Sequence, residues 1–295
     1  MKEIEFNLPE STLAAQEWGA VGTHPVLLAI HGWLDNAASF SRLAPLLENQ
    51  RVVAVDLPGH GKSSHRSGAC FYAFSDYVHT ILSLLATLDR PVILLGHSLG
   101  AGVAAFCAAL APESVGGLIL IEGVGPHSAP VARAPENLRN ASKQLRRALQ
   151  SKRRTYASVE AMIKARHRIG ELSIDSAERL VCRNSLPTDG GYRWRTDRRL
   201  LVRSPQYFTE EQVLAFLGEI PQPVLLLVDE NGMVVSGENY RQRCSRIRHL
   251  QVQVLSGGHH LHLEPGSVDA VARAIEGYLH RQSSEGGFLG DHPVL

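Results

Sequence analysis

Residues 91–110 have the sequence PVILLGHSLGAGVAAFCAAL, and this segment is the most informative about the fold. Residues 91–95 form a continuous apolar run, which is typical of a strand buried on both faces of a sheet. From Leu99 onward, the many small residues favour a closely packed helix. The junction, GHSLG at 96–100, is a glycine–x–serine–x–glycine turn. Because its glycines let strand and helix approach each other, the pattern predicts a sharp, strained turn that exposes the Ser98 hydroxyl as a nucleophile.

Two backbone amides are candidate donors to an oxyanion formed at this serine. The amide of Leu99 lies at the predicted helix N-terminus, where it has no partner within the helix. A second apolar run, 25–30, ends in His31-Gly32-Trp33, whose backbone can supply another donor, the Trp33 amide. The alternative for this second segment is an ordinary tight turn. We expect Leu99 and Trp33 to form the oxyanion site.

A serine hydroxyl is a weak nucleophile and needs a base from elsewhere in the chain. Residues 256–262, SGGHHLH, follow a predicted strand at 251–255, and a loop at the carboxyl end of that strand can reach the serine turn. His259 directly follows the two glycines and is the first choice for the base. His260 is the alternative, and His262 is expected to pack or to form structural hydrogen bonds. No cysteine or carboxylate at ligand spacing accompanies these histidines, which argues against a metal site.

Apolar runs of strand length alternate with helical stretches over most of the chain. This order is typical of an α/β protein in which helices cover both faces of a mostly parallel sheet. The polar–apolar alternation of residues 1–10 also indicates a strand. The expected strands are 25–30, 51–55, 91–95, 117–121, 223–228 and 251–255. The expected helices are 39–48, 75–88, 99–111, 236–247 and 267–281.

Residues 124–220 interrupt this alternation. They contain no clear buried strand and favour amphipathic helices, such as 135–149 and 158–168, so we expect an insertion between two strands. The insertion is basic: residues 123–220 carry 18 Lys and Arg against 10 Asp and Glu, a net charge of +8, which leaves −7 on the rest of the chain. The Gly/Ser-rich residues 283–295 predict a mobile tail.

The bulk composition gives no sign of several partner classes. A formal net charge of +1 with 44% hydrophobic and 20% charged residues does not indicate nucleic acid or an anionic membrane. No run approaches the ~18 apolar residues of a membrane span, and residues 1–10 lack the apolar segment of a secretory signal. The scattered cysteines, Cys70, Cys107, Cys182 and Cys244, suit reduced thiols in a cytoplasmic protein. The sequence leaves the oligomeric state open.

A GKS sequence ends the segment DLPGHGKS at 56–63 and suggests a phosphate-binding loop. A Walker A motif requires glycine five positions before the glycine of GK, and that position is Asp56. The segment therefore predicts a structural turn and argues against a nucleotide site.

Four segments together resemble the α/β-hydrolase superfamily. They are HGWLDNAASF at 31–40, DLPGHGKSS at 56–64, GHSLGAG at 96–102 and GGHHLHLE at 257–264. Their order and spacing are most similar to those of serine hydrolase-like proteins, which are related to epoxide hydrolases, haloalkane dehalogenases and small esterases. The resemblance covers residues 20–125 and 222–280 and is weak over residues 126–220.

This resemblance implies an α/β-hydrolase fold, with a doubly wound, mostly parallel sheet and an inserted helical cap. The core would comprise residues 1–123 and 221–282, the cap residues 124–220, and the tail residues 283–295. The resemblance also implies catalysis without a cofactor.

The acid that orients the histidine departs from the pattern most common in the superfamily. Many relatives place an aspartate in the loop after the strand that matches 223–228, and here that position is Gly232. In some relatives the acid instead follows the preceding strand, where this chain has Glu122. Glu122 is therefore the first choice, and Asp229 and Glu230 are the alternatives.

A serine at the turn excludes the chemistry of dehalogenases and epoxide hydrolases, which attack with aspartate. It favours acyl transfer to water through an acyl-enzyme, with Ser98, His259 and Glu122 as the catalytic residues. The expected partner is a small-molecule substrate, most simply a small carboxylic ester. The alternatives are hydrolysis of a carbon–carbon bond, which uses the same residues, and a binding protein that has lost turnover.

Four arginines, Arg193, Arg195, Arg198 and Arg199, concentrate positive charge near the end of the insertion. One interpretation is that some of them line the pocket and attract an anionic substrate. The alternative is that they form solvated helix faces and salt bridges between the cap and the acidic core.

Overall fold

A computed structural model describes residues 1–19, 26–68, 70–170 and 172–284. Its strands are β1 (Lys2–Asn7), β2 (Thr12–Trp18), β3 (Leu27–Ile30), β4 (Val52–Val55), β5 (Val92–His97), β6 (Val115–Ile121), β7 (Ser185–Thr188), β8 (Gly191–Trp194), β9 (Val224–Asp229) and β10 (Leu250–Leu255). Its α-helices are α1 (Phe74–Leu85), α2 (Leu99–Leu110), α3 (Ala134–Gln150), α4 (Val159–Gly170), α5 (Ile174–Asn184), α6 (Glu210–Gly218), α7 (Met233–Ser236), α8 (Tyr240–Arg246) and α9 (Val268–Ser284).

Eight of these strands form one sheet in the order β1-β2-β4-β3-β5-β6-β9-β10. The six strands from β4 to β10 in this order pair in parallel, and the β1–β2 hairpin joins β4 in antiparallel register. The expected mostly parallel sheet is therefore confirmed. The carboxyl ends of β3, β5, β6, β9 and β10 lie at one edge, which gathers the loops that follow them.

Apolar packing on both faces explains why the parallel strands are continuously apolar. Leu28 and Ile30 of β3 pack with α1, α2 and α6, whereas the alternating Leu27 and Ala29 pack with α9 on the opposite face. Successive side chains of a strand point to opposite faces, so both sets must be apolar when both faces are covered.

One predicted helix is replaced by 3-10 turns in the structure, and another is divided into two helices. The expected helix at 39–48 is replaced by two short 3-10 turns, Ala37–Phe40 and Ala44–Leu46, because Asn36 caps the first and Pro45 lies in the second. The expected helix at 236–247 is interrupted at Gly237, which separates α7 from α8.

The ends of two predicted segments fall partly on residues that the structure does not describe. Pro25, the first residue of the predicted strand at 25–30, is one of them. Of the predicted tail at 283–295, Ser283 and Ser284 belong to α9, and residues 285–295 lie outside the described residues.

The segment between β6 and β9 contains helices α3 to α6, as expected, and also a β7–β8 hairpin that the sequence analysis missed. The hairpin is short and only half-buried, so it lacks the long apolar run that marks the other strands. Its signal was the pair Asp189-Gly190 at the turn, where Gly190 has a φ of +88°.

Packing divides this segment between two apolar clusters. Helices α4 and α5 pack around Met162, Ala177 and Leu180 together with Leu263 of the β10–α9 loop. Helix α6 joins the main core cluster beside α2. The division into a core of residues 1–123 and 221–282 and a cap of residues 124–220 stays a prediction.

Candidate functional site

Ser98 stands between β5 and α2 in a strained backbone conformation, with φ +51° and ψ −112°. A positive φ is costly for a residue with a Cβ and persists only where the surroundings enforce it. Here a Cβ at Gly96 would overlap the backbone of Gly100 and Ala101, and one at Gly100 would overlap the carbonyl of Ile30. The close approach of β5, α2 and β3 therefore requires both glycines, and it holds the half-buried Ser98 at the turn.

The loop after β3 lies directly against this serine. A Cβ added to Gly32 would be 3.3 Å from the Cβ of Ser98. The amide of Leu99 is the first of α2, so it has no partner within the helix. Trp33 is half-exposed, and its indole Nε1 donates to the carbonyl of Leu200, 2.9 Å away, in the inserted segment.

Two buried histidines hold the β3 loop in place. Nε2 of His60 accepts from the amide of Leu34 (3.2 Å), and Nε2 of His31 accepts from the amide of Leu57 (3.0 Å). Burial lowers the pKa of His60 to about 3 and also lowers the pKa of His31. Both rings are therefore neutral near pH 7, which they must be in order to accept from an amide.

Glu122 follows β6 and faces His259. Glu122 has a φ of +50° and is buried. Its Oε1 accepts from the amide of Asp229 at 2.6 Å, and its Oε2 lies 3.2 Å from Nδ1 of His259. A carboxylate next to Nδ1 places the ring hydrogen on that nitrogen and leaves Nε2 as the basic atom.

The other acid candidates have different partners. Oδ1 of Asp229 accepts from the amides of Gly257 and Gly258, each at 2.9 Å. The bond from Gly258 is the main reason why the pKa of Asp229 lies below its usual value. Asp229 therefore fixes the two glycines that precede the histidines. The other candidate acid, Glu230, is exposed to solvent. A Cβ at Gly232 would lie 3.0 Å from both carboxylate oxygens of Glu122.

His97 connects the serine turn to the histidine loop. Its Nε2 donates to the carbonyl of His259 at 2.9 Å, and the two ring centroids are 4.9 Å apart. Because His97 precedes Ser98, this bond places His259 beside the turn. Within the described part of the chain, neither Oγ of Ser98 nor Nε2 of His259 makes a hydrogen bond, so both are available to a substrate.

The remaining histidines of the loop belong to a buried polar cluster. Nε2 of His260 lies 3.2 Å from Oδ2 of Asp35, and Nε2 of His262 lies 2.8 Å from Oγ of Ser39. Burial and the neighbouring His260 lower the pKa of His262 to about 3. Burial alone would raise the pKa of Asp35, but His260 and Arg166 hold it well below its usual range.

The arginines of the YRWRTDRRL run bind groups of the protein itself. Arg193 donates to Oγ1 of Thr155, Arg195 to the carbonyl of Ser185, and Arg198 to the carbonyls of Leu149 and Ser151. Arg199 pairs with Asp197 and donates to the backbone carbonyls of Arg66, Ser67, Gly68 and Cys70.

Two other arginines of the insertion, which the sequence analysis missed, bind buried carboxylates of the core. Arg166 pairs with Asp35 at 2.8 Å and Arg183 with Asp56 at 2.9 Å. Each lies on an amphipathic helix that carries a second arginine, so the sequence pattern gave no signal for which one binds a core carboxylate.

The DLPGHGKSS segment forms a structural turn. Oδ1 of Asp56 accepts from the amide of Ala37 and Oδ2 from the amide of Lys62, each at 2.7 Å. The hydroxyl of Ser63 donates to the carbonyl of Asp56 and accepts from the amide of Ala14. These bonds fix the start of the 3-10 turn that follows the β3 loop.

A protein-family model described as alpha/beta hydrolase fold matches residues 25–265. A serine hydrolase-like protein of Danio rerio is 32% identical over 96% of this chain and 90% of its own length. The crystal structure of a hypothetical protein of Pseudomonas aeruginosa PAO1 is 37% identical, covers 95% of this chain and 100% of that chain, and has a TM-score of 0.89.

The structure of a thioesterase domain from the curacin biosynthetic pathway is 28% identical, with a TM-score of 0.81. It covers 94% of this chain and 99% of that domain. No helix among the described residues is long and apolar enough to cross a membrane.

Proposed function

Because the chain belongs to the α/β hydrolase fold family, we propose that it is a serine-dependent hydrolase that acts through an acyl-enzyme on a small carboxylic ester. The observation that carries the proposal is the pairing of the buried carboxylate of Glu122 with His259, whose backbone carbonyl accepts from His97, the residue before the strained, half-buried Ser98. This set supplies a nucleophile, a base and a group that orients the base.

In the proposed reaction, Oγ of Ser98 attacks the substrate carbonyl and Nε2 of His259 takes its proton. Glu122 keeps the ring hydrogen on Nδ1 and stabilises the imidazolium that forms. The amides of Leu99 and Trp33 donate to the oxyanion of the tetrahedral intermediate. When the intermediate collapses, the alcohol leaves with the proton from His259. Water then attacks the acyl-enzyme with His259 again as base, which restores Ser98 and releases the acid.

Steric exclusion at Gly232 supports Glu122 as the acid of this set. The carboxylate of Glu122 lies 3.0 Å from where a Cβ of residue 232 would be, so it occupies the space that a side chain at 232 would need. Two carboxylates this close would repel each other and could not both stay ionised. Glycine at 232 and glutamate at 122 are therefore complementary, and Asp229 is engaged with the glycine amides.

The insertion at 124–220 is proposed to cap the site, since the Trp33 side chain beside the serine turn bonds to Leu200. The four arginines near the end of the insertion do not favour an anionic substrate. The guanidinium groups of Arg193, Arg195, Arg198 and Arg199 already bind protein oxygens. The cytoplasmic location stays a prediction.

A second candidate substrate is a thioester, which the similarity to the thioesterase domain favours. The same three side chains would act, and the leaving group would be a thiolate instead of an alkoxide. Parallel assays with p-nitrophenyl esters of increasing acyl length, the matching acyl thioesters and a diketone would separate these substrates from carbon–carbon bond hydrolysis.

The proposal is tested by labelling with a fluorophosphonate, which reacts with an activated serine. Wild-type protein should be labelled and Ser98→Ala should not. His259→Ala should lower ester turnover by about 10⁴-fold, and far more than His260→Ala does, since only His259 faces Glu122.

Circular dichroism of each variant provides the control for folding. If folded wild-type protein is neither labelled nor active on any substrate of the panel, the chain is a binding protein and the proposal is wrong. If His260→Ala is the more damaging change, the assignment of the base is wrong.

A further inference from the structure

Three buried ligand atoms from different loops meet beside the proposed catalytic residues. They are Oδ2 of Asp35 after β3, Nδ1 of His97 at the end of β5, and Nε2 of His260 after β10, and all lie within 4.8 Å of one another. Oδ2 of Asp35 is 3.2 Å from Nε2 of His260 and 3.8 Å from Nδ1 of His97. None of the three takes part in the reaction proposed above.

The hydrogen bond of His97 determines which of its nitrogens is free. Nε2 faces the carbonyl of His259 at 2.9 Å, and a carbonyl can only accept, so Nε2 carries the hydrogen of the neutral ring. Nδ1 therefore presents a lone pair. This atom is buried and has no hydrogen-bond partner among the described residues.

A lone pair on Nδ1 that faces the Asp35 carboxylate is an unfavourable pair of acceptors in a buried site. A cation between them would relieve the repulsion, since it binds both atoms at once. Two imidazole nitrogens and one carboxylate oxygen form a ligand set typical of zinc and similar transition metals, whereas magnesium and calcium prefer oxygen ligands only.

We propose that Asp35, His97 and His260 form a binding site for a divalent transition metal ion, with Zn²⁺ as the best-fitting ion. Ligands about 2.0–2.2 Å from zinc in a tetrahedron lie about 3.3–3.6 Å from one another. The separations of 3.2 and 3.8 Å from Oδ2 of Asp35 lie on either side of this range, so small movements of the side chains would reach it. With three protein ligands, a solvent molecule would occupy the fourth position of the tetrahedron.

Neighbouring groups orient two of the ligands as in known metal sites. Arg166 holds the second oxygen, Oδ1, of Asp35 at 2.8 Å, and the carbonyl of His259 holds Nε2–H of His97. Binding requires one rearrangement: the hydrogen on Nε2 of His260 moves to Nδ1, and the Nε2 lone pair then binds the ion. No electron is transferred. The positive charge of Arg166 weakens the affinity.

Zn²⁺ at this site would also inhibit the proposed hydrolysis, and this part of the inference rests on the proposed function. His260 is adjacent to His259, and His97 is adjacent to Ser98. An ion that draws His260 and His97 together constrains both catalytic residues. Metal binding itself does not depend on turnover, so it can be measured separately.

The test uses the full chain without a histidine tag, freed of metal by a chelator. Zn²⁺ binding is measured by titration calorimetry, and Co²⁺ is added as a spectroscopic probe because its visible absorption reports tetrahedral coordination. Asp35→Asn and His260→Gln each remove one ligand, so Zn²⁺ should bind at least about tenfold more weakly. His280→Gln, an exposed histidine of α9, is the matched control and should bind like wild type.

We expect one ion per chain in wild type and in Ser98→Ala, and loss of the Co²⁺ bands in both ligand variants. Two variants are used because Asp35→Asn also weakens the pair with Arg166 and could affect folding. Unchanged Zn²⁺ affinity in folded His260→Gln would overturn the site. So would a loss in His280→Gln as large as in His260→Gln, or a loss in His259→Gln but not in His260→Gln, which would place the ion on the Glu122–His259 pair. If Zn²⁺ binds but the protein hydrolyses nothing, the metal site stands and the proposed function fails.

Discussion

The sheet and its loops use their charged side chains differently from the inserted segment at 124–220. Around the sheet, the buried carboxylates face functional or positioning groups: Glu122 faces His259, and Asp35 faces His260. In the insertion, Arg166 and Arg183 reach into the sheet region and pair with Asp35 and Asp56. The acidic remainder of the chain therefore carries the proposed catalytic residues, and the basic insertion supplies arginines that pair with its buried carboxylates.

A net charge of +8 on the insertion therefore does not by itself indicate an anionic ligand. Arg183 is buried, and its Nε donates to both carboxylate oxygens of Asp56 while its Nη1 donates to both of Glu3. Burial would lower the pKa of Arg183, but Asp56 and Glu3 raise it. The positive charge is neutralised inside the protein, which favours the structural interpretation for this arginine.

The largest expected effect falls on the acid in the sheet region. Glu122→Gln should lower kcat by about 10⁴-fold, because an amide stabilises the wrong tautomer of His259 and does not stabilise the imidazolium. Glu230→Gln, at an exposed carboxylate, is the matched control and should keep kcat within about threefold. Ester hydrolysis with both purified variants is the measurement, and a larger loss in Glu230→Gln would contradict the assignment.

Moving the acid from position 122 to position 232 tests whether a carboxylate there can also orient His259. Residue 122 has a φ of +50° that glycine adopts easily, and Gly232 has a φ of −71° that aspartate adopts easily. The double variant Glu122→Gly with Gly232→Asp should therefore recover at least about tenfold in kcat over Glu122→Gly alone. Equal rates in the two variants would show that position 232 does not reach His259.

Removing the arginine that joins the two regions should have the next largest effect. Arg183→Met leaves the buried carboxylate of Asp56 without a counter-charge and should lower the free energy of unfolding by about 3–5 kcal/mol. Arg153→Met, at an exposed arginine of the same insertion, should change it by less than about 0.5 kcal/mol. Urea unfolding compares the two variants, and similar values would mean that the insertion is not fastened by this pair.

Acid should destabilise the sheet region through its buried neutral histidines. His60 and His262 have folded-state pKa values lowered to about 3, whereas an unfolded histidine titrates near 6.5. As the pH falls below 6.5, the unfolded state binds protons that the folded state does not, so stability falls from pH 6.5 toward pH 3. At pH 5 each histidine should cost about 2 kcal/mol relative to pH 7.

This pH dependence is measured by urea unfolding of wild type at both pH values. In His60→Gln the difference between them should shrink by about 2 kcal/mol, because one titrating group is gone. In His280→Gln, where the histidine is exposed, the difference should not change. A wild-type protein that is equally stable at pH 7 and pH 5 would contradict the burial of these rings.

Local patterns were enough to predict the sheet and the serine turn. A continuous apolar run followed by GHSLG and a small-residue helix has few alternative structures, because only glycine allows the close contacts at 96 and 100. The β7–β8 hairpin was missed because its strands are short and half-buried, so tertiary contacts outweigh any periodic pattern. The 3-10 turns at 37–46 were missed because the apolar residues of this proline-containing segment still recur at helical spacing.

Local sequence patterns establish the order of strands and helices, the strained serine and the two glycines that precede His259, since each depends on residues adjacent in the chain. Tertiary packing alone decides which carboxylate faces His259, which arginines bind the sheet region, and that His260 bonds to Asp35. These pairs join residues more than 100 positions apart. Their contacts depend on how parallel strands align their carboxyl ends, and that alignment is set by the packing of both faces of the sheet.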